Sequence, residues 1–227
     1  MDVPTPIRRS RTTAAAMFDA LREDIISLAL PPGAVLSRAE LQQRFGLSST
    51  PVRDALLRLQ DEGLVDVFPQ HATVVSPIDL ARAQTGQFLR RAVEVEIARI
   101  LALAPDTALL GRLRGVVRQQ AAFAGLGEHG LFSEADQAFH RAMYDAAGMG
   151  GLWALVRRQG GHMDRLRRLN LPMPGKMADI LRDHEAIVGA IAAGQPEEAQ
   201  VAVRDHLSRS LDFVEAIRRS HPEYFSV

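Results

Sequence analysis

Beyond Ser76-Pro77 the sequence offers no convincing strand, and its apolar residues recur at three- and four-residue intervals, the period of an amphipathic helix. Helices are predicted over roughly 79–104, 106–124, 131–147, 150–169, 176–193 and 196–219. An all-α domain over residues 80–222 follows, joined by a linker at 77–79 to what precedes it.

The first 76 residues obey another pattern. Residues 1–11 place Pro4, Pro6, Arg8, Arg9 and Arg11 among few apolar positions and read as a flexible N-terminal arm. From Thr12, the stripe Ala16, Leu21, Ile25, Ile26 and Leu28 defines one helix, ended by Pro31-Pro32-Gly33. Ser37 can cap a short helix to Phe45, and Gly46 can close it in the left-handed conformation. A third helix starts near Ser48-Ser49-Thr50-Pro51. Pro51 sits in its first turn, where the missing N–H costs nothing, and Val52, Ala55, Leu56 and Leu59 share a face up to Gly63. Two β-prone runs, 64–68 and 73–75, flank a short turn and predict a hairpin. The expected fold is mainly α: a winged helix-turn-helix with a small β-hairpin over 12–76, then the all-α domain.

This first layout suits duplex DNA. Its third helix fits the major groove, and the first turn offers free N–H groups and the Ser48, Ser49 and Thr50 hydroxyls to phosphates. Arg53, one turn in and off the Val52, Leu56, Leu59 face, is the candidate for a base or phosphate contact. Bulk charge does not supply affinity: 27 basic and 27 acidic residues cancel, with 8 and 9 up to Ser76. A charge-driven, non-specific binder is disfavoured, but a reader with a few well-placed arginines is not. One small reader makes few contacts, so a homodimer on a palindromic operator is expected.

The chain has no cysteine, which excludes disulfides, thiolate metal sites and cysteine nucleophiles and leaves His and carboxylates as metal ligands. Asp136 and His140 are four apart on one predicted helix and share a face. His184 and His206 are equally distant from Gln195, in the turn between two successive helices, so an antiparallel pair would set them level. Together the four make an Asp-plus-three-His set suited to Zn first, with Ni or Mn as alternatives, and with open positions for an organic carboxylate. Any one such His is more often a hydrogen-bonded core residue. The set also fits a structural site or a metal-dependent enzyme acting on a small carboxylate, although no extra base, nucleophile or oxyanion device stands out. His129, His162 and His221 show no matching symmetry and are expected at the surface. No run approaches the roughly 18 apolar residues of a membrane span. The N-terminus lacks the basic-then-apolar order of a secretion signal, so a cytoplasmic protein without a membrane partner is expected.

Leu30-Pro31-Pro32-Gly33, Leu36-Ser37, Glu40-Leu41, then Ser48 with Thr50-Pro51-Val52-Arg53-Asp54-Ala55-Leu56, Leu59 and Gly63-Leu64-Val65 resemble the DNA-binding domain of GntR-family bacterial transcription regulators over about 14–76. The chain departs from that pattern with Arg38 for Glu, Ser49 for Arg and Ala72 for Gly. Against that pattern Arg38 is a candidate to replace part of the cation lost at Ser49, and His71 falls at the wing tip, either entering a minor groove or standing as a solvent-exposed turn residue. Arg90 with Glu94, Asp136-Gln137-Ala138-Phe139-His140-Arg141, Asp183-His184-Glu185-Ala186-Ile187-Val188 and Arg204-Asp205-His206-Leu207 resemble the FCD effector domain of FadR-type members, over about 80–219. What this implies is an antiparallel helical bundle whose Asp136, His140, His184 and His206 bind a divalent metal beneath a pocket for a small organic acid. Arg90 would be the candidate for clamping the acid's carboxylate, the alternative being only an intrahelical pair with Glu94 at i, i+4. Gly148-Met149-Gly150-Gly151 departs from the family pattern by lacking a polar pocket contact, which shifts the expected ligand class, and Gln195 departs from it in a turn, where capping is affected more than ligand chemistry. The implied function is a transcription regulator, not an enzyme, whose operator binding responds to such an acid.

Overall fold

The computed structural model describes residues 13–68, 72–209 and 213–226, so the arm at 1–11 and His71 lie outside the described residues. Thr13 caps α1 (Ala14–Ile26) by accepting the Ala16 N–H at 3.1 Å. Ser37 opens α2 (Arg38–Phe45) on the Glu40 N–H, and Gly46 closes it at φ 64°, where a side chain would be strained. α3 (Ser49–Asp61) follows, with Ser48 at its N-cap. Met17, Leu21 and Ile25 of α1, Leu41 of α2 and Val52, Leu56 and Leu59 of α3 form a core with Leu64 and Val75. Full burial of side chains this size contributes about 1.5–3 kcal/mol each. The expected hairpin is β2 (Val65–Val67) and β3 (Thr73–Val75), antiparallel with Val65 opposite Val75. A further strand, β1 (Val35–Leu36), pairs on the other side of β3, giving a three-stranded sheet of order β1-β3-β2. Two residues are too few to display an alternation, so periodicity does not reveal β1.

The bundle consists of α4 (Leu80–Leu103), α5 (Thr107–Leu126), α6 (His129–Ala146), α7 (Gly150–Gln159), α8 (Gly161–Asn170), α9 (Lys176–Ala192), α10 (Pro196–Ser208) and α11 (Val214–Ser220). A 3₁₀ turn at Pro222–Tyr224 follows. Ile97 and Leu101 of α4, Leu113 of α5, Phe139 and Met143 of α6, Ile187 and Ile191 of α9 and Val203 and Leu207 of α10 share one core, and α4 lies along α7 to α10. Two predicted helices are divided: 150–169 breaks at Gly160 into α7 and α8, and 196–219 ends at Ser208 and resumes at Val214. The apolar period runs through both breaks and cannot locate them. At the first, α4 passes the end of α7 so closely that a methyl on Gly86 would run into the Gln159 carbonyl. Among the described residues no helix is long and apolar enough to cross a membrane.

α8 and α1 join the two parts. Arg165 of α8 is fully buried and donates to the carbonyls of Ser76 at 2.7 Å and Pro77 at 3.2 Å. His162 Nδ1 accepts the Asp79 N–H at 3.0 Å and an Arg165 N–H at 2.9 Å. His162 is thus 2% exposed and not a surface residue: it points into the linker, a placement its lack of symmetry about Gln195 does not bear on. His129 and His221 are partly exposed. From α1, Arg22 pairs with Glu62 at 2.7 Å and donates to the Arg157 carbonyl at 2.5 Å. Ile78, also buried, donates its N–H to the Tyr224 carbonyl at 2.7 Å.

Candidate metal and effector site

Gly194, at φ 66°, and Pro196 in the first turn of α10 reverse the chain between α9 and α10, and this brings His184 level with His206. α6 adds Asp136 and His140, and ligand atoms of the four residues lie within 4.8 Å of one another. His140 Nε2 and His206 Nε2 are 3.3 Å apart, while Asp136 Oδ1 is 3.5 Å from His184 Nε2 and 3.9 Å from His140 Nε2. The imidazoles are buried and Asp136 is partly exposed.

Behind the imidazoles stands a second set of oxygens. Nδ1 of His140 is 2.7 Å from Glu94 Oε2, Nδ1 of His184 is 2.8 Å from Gln120 Oε1, and Nδ1 of His206 is 3.3 Å from Asp183 Oδ2. An acceptor oxygen near each Nδ1, by hydrogen bond at His184 and His206 and at ion-pair distance at His140, favours the tautomer that carries its proton there and turns the Nε2 lone pair inward. Burial, then the neighbouring imidazoles, push His184 and His206 well below the usual imidazole range, which keeps them neutral. In that tautomer the lone pairs of His140 and His206 oppose each other, and among the described residues His184 Nε2 has no hydrogen-bond partner. A divalent cation satisfies this donor set, and imidazole with carboxylate suits the borderline ions.

Glu94 anchors the arrangement. Its burial favours the neutral acid, but Arg90 and His140 outweigh this and lower its carboxyl to about 2. Arg90 Nε donates to Glu94 Oε1 at 2.6 Å and the Tyr144 hydroxyl to the same oxygen at 3.4 Å. Burial also works against the Arg90 charge, and Glu94 and Asp136 outweigh it, raising that pKa further. A cavity of about 230 Å³ lies beside the cluster, lined by Gln87, Arg90, Ser133, Asp136, Gln137 and Arg167, among others. A smaller cavity of about 50 Å³, reached by His206 and Asp183, shares Ser133, Asp136 and Arg167 with it. Arg90 therefore both lines the cavity and pairs with Glu94, whereas Glu94 stands behind the wall.

On the other domain, Arg38, Ser48, Ser49, Thr50 and Arg53 are all exposed at the first turns of α2 and α3. Among the described residues the Ser48 hydroxyl makes no capping bond, and the one ion pair of Arg53 is with its neighbour Asp54, at 3.8 Å. The sequence pattern brings the four ligand candidates together, but it includes Asp183 only as part of the family motif, without a role, and leaves Gln120 out. Asp183 precedes His184, and that adjacency is a signal only once α10 is known to lie alongside; Gln120 carries none. Arg165 is likewise one arginine among many until its burial is seen.

An exposed recognition helix on a winged helix, followed by a helical domain, is the build of a DNA-binding transcription regulator. Residues 13–75 match the model of the bacterial regulatory proteins of the gntR family, and residues 87–209 match the FCD domain. The chain is 39% identical over 217 residues, 95% of its length and 91% of the relative's, to an HTH-type transcriptional regulator in an unstable DNA locus of Streptomyces ambofaciens. It is 27% identical over 226 residues, covering 100% of this chain and 99% of the other, to the HTH-type transcriptional repressor RspR of Escherichia coli strain K12. In fold it is similar to E. coli McbR/YncC, with a TM-score of 0.76 at 18% identity over 92% of this chain and 98% of that one. The chain belongs to the GntR family, with an FCD domain as its C-terminal part. It is a DNA-binding transcription regulator, and its relatives are named as regulators, not enzymes.

Proposed function

We propose that this regulator is a cytoplasmic homodimer that binds a palindromic operator and changes its operator affinity when a small organic acid binds over a divalent ion. Asp136, His140, His184 and His206 hold the ion, Zn²⁺ first, with Ni²⁺ or Mn²⁺ as alternatives. The observation that carries this reading is the oxygen behind each imidazole, at 2.7 to 3.3 Å from Nδ1, which leaves three Nε2 lone pairs and one carboxylate converging beside a cavity. A bound ion polarises and orients a ligand carboxylate. Arg90, held by Glu94, supplies the guanidinium that pairs with it from the α4 wall. Reading of the operator falls to residues 12–76: Arg53 in the major groove, Ser48, Ser49 and Thr50 on phosphates, Arg38 beside them, and His71 toward a minor groove. Residues 77–79 act as linker and 80–222 as effector and dimerisation domain.

The test is thermal unfolding of the protein as purified, chelated and metal-reloaded, across small mono-, di- and tricarboxylic acids and sugar acids. An acid at 100 times its dissociation constant stabilises by about 2.7 kcal/mol. Stabilisation by one acid only in the metal-loaded form is the expected result. If chelation lowers the transition but no acid moves it, the ion is structural, and His184→Ala then lowers stability without altering any ligand response.

A further inference from the structure

The cavity that Arg90 and Asp136 line is not built by the bundle alone: Glu23 and Ile26 of α1 and Ser27, which caps its C-terminus, also line it. Ile26 is 5% exposed yet lies outside the winged-helix core, so its burial arises at this seam. The lining also divides by element. α4 and α6 contribute only glycine and polar side chains. The apolar groups are Ile26 of α1, Trp153 and Val156 of α7 and Met163 in the first turn of α8. Every apolar group of the lining thus stands on α1, α7 or α8, beside the polar Glu23, Ser27, Arg157, Asp164, Arg167 and Arg168, and none stands on the α4 and α6 walls that adjoin the His cluster. Its volume of about 230 Å³ falls just under the range of roughly 300–1,000 Å³ for drug-sized ligands, as suits an acid with one short tail.

Resting on the reading of this cavity as the effector site, we propose that the effector is a carboxylic acid bearing a short apolar or aromatic tail. Its carboxylate faces Arg90, and its tail lies on Trp153, Val156, Met163 and the winged helix's own Ile26. Because α1 moves with the reader, the tail touches the DNA-binding domain directly. Acid affinity and reader placement are then linked: whatever factor the acid imposes on operator binding, the operator imposes on acid binding.

Trp153 is the sole tryptophan and reports occupancy without a label. The experiment titrates zinc-loaded, full-length protein with two matched pairs, lactate against 3-phenyllactate and glycolate against mandelate, following tryptophan emission and thermal unfolding. The phenyl acid of each pair is expected to bind at least about tenfold tighter and to shift the emission. Ile26→Ala is expected to weaken the phenyl acid about tenfold, the worth of roughly two methylenes of contact, and to leave the short acid unchanged. Should circular dichroism show Ile26→Ala poorly folded, Val156→Ala on the bundle side is expected to give the same loss. Equal or tighter binding of the short acids overturns the inference, as does a folded Ile26→Ala that binds the phenyl acid normally. Stabilisation by polyhydroxy or dicarboxylic acids alone overturns it too, while leaving the metal-linked sensor intact. Indifference to every acid and to chelation overturns both.

Discussion

His184 Nδ1 donates to Gln120 Oε1 at 2.8 Å, with both side chains fully buried and the two residues 64 positions apart in the chain. The contact fixes which imidazole nitrogen carries the proton and leaves Nε2 free toward Asp136. Gln120→Leu is therefore expected to weaken binding of Zn²⁺ or Ni²⁺ by roughly 10- to 100-fold, the usual scale for partners behind metal-bound imidazoles. Competition against a chromogenic chelator measures it. An unchanged affinity in a folded variant would show that Gln120 only fills space.

Glu94 faces two positive or proton-donating partners at once, Arg90 Nε at 2.6 Å and His140 Nδ1 at 2.7 Å. Glu94→Gln keeps the shape and removes the charge, leaving the Arg90 guanidinium buried without its counter-ion. Loss of one partner from such a pair costs about 3–5 kcal/mol. Urea unfolding of both proteins in chelator, so that metal binding does not enter the comparison, is expected to show that loss. A change under 1 kcal/mol would mean that water reaches Arg90 freely.

Elements with a strong local signal were legible in the sequence. Ser37, Gly46 and Pro51 mark the short helices by their caps, and the equal distances of His184 and His206 from Gln195 place two ligands through one turn. What lies beyond the sequence is whatever depends on two distant segments meeting. β1 exists because Val35 pairs with Val74, Gly160 interrupts an otherwise continuous period, and Gln120 acquires a role only when α5 lies along α9. Burial of charge is equally silent: the pattern that makes Arg165 a core residue is the pair of carbonyls at Ser76 and Pro77, which side-chain periodicity does not encode.

Two glycines in neighbouring helices should respond oppositely to alanine. A methyl at Gly86 meets the Gln159 backbone, which cannot rotate away, whereas a methyl at Gly111 of α5 meets nothing within 4 Å among the described residues. Gly86→Ala is expected to lose about 1–3 kcal/mol by forcing α4 from α7. Gly111→Ala is expected to gain about 0.5–1 kcal/mol by helix propensity. Chemical denaturation of the two variants in parallel decides it, and a neutral Gly86→Ala would contradict the backbone contact.

Arg165 donates to the Ser76 and Pro77 carbonyls and to His162, and nothing else among the described residues is seen to serve those two carbonyls. Arg165→Met fills the space but leaves them short of a donor, at about 1–3 kcal/mol for each buried group. The linker is also the junction between the two cores. Calorimetry is expected to show a lower first transition, with the winged helix melting ahead of the bundle. A single transition at the original temperature would show the guanidinium to be dispensable.

His162 supplies a pH response at the same junction. Burial first, then Arg165 with a smaller push from Arg82, lowers its pKa from 6.5 to about 4, against an opposing pull from Asp79. Its Nδ1 accepts two N–H groups, and a proton there would displace both. The unfolded chain takes up that proton near pH 6.5 and the folded chain only near 4, so stability is fully present above about 6.5 and falls as pH drops between the two values. At about 1.4 kcal/mol per pKa unit the loss approaches about 3 kcal/mol. His162→Gln offers an acceptor that does not titrate. The stability gap between wild type and this variant is expected to narrow by about that amount from pH 7 to pH 4, the other histidines cancelling in the difference. A gap that stays constant across the window would mean His162 is not held neutral, and that the linker takes no part in acid sensitivity.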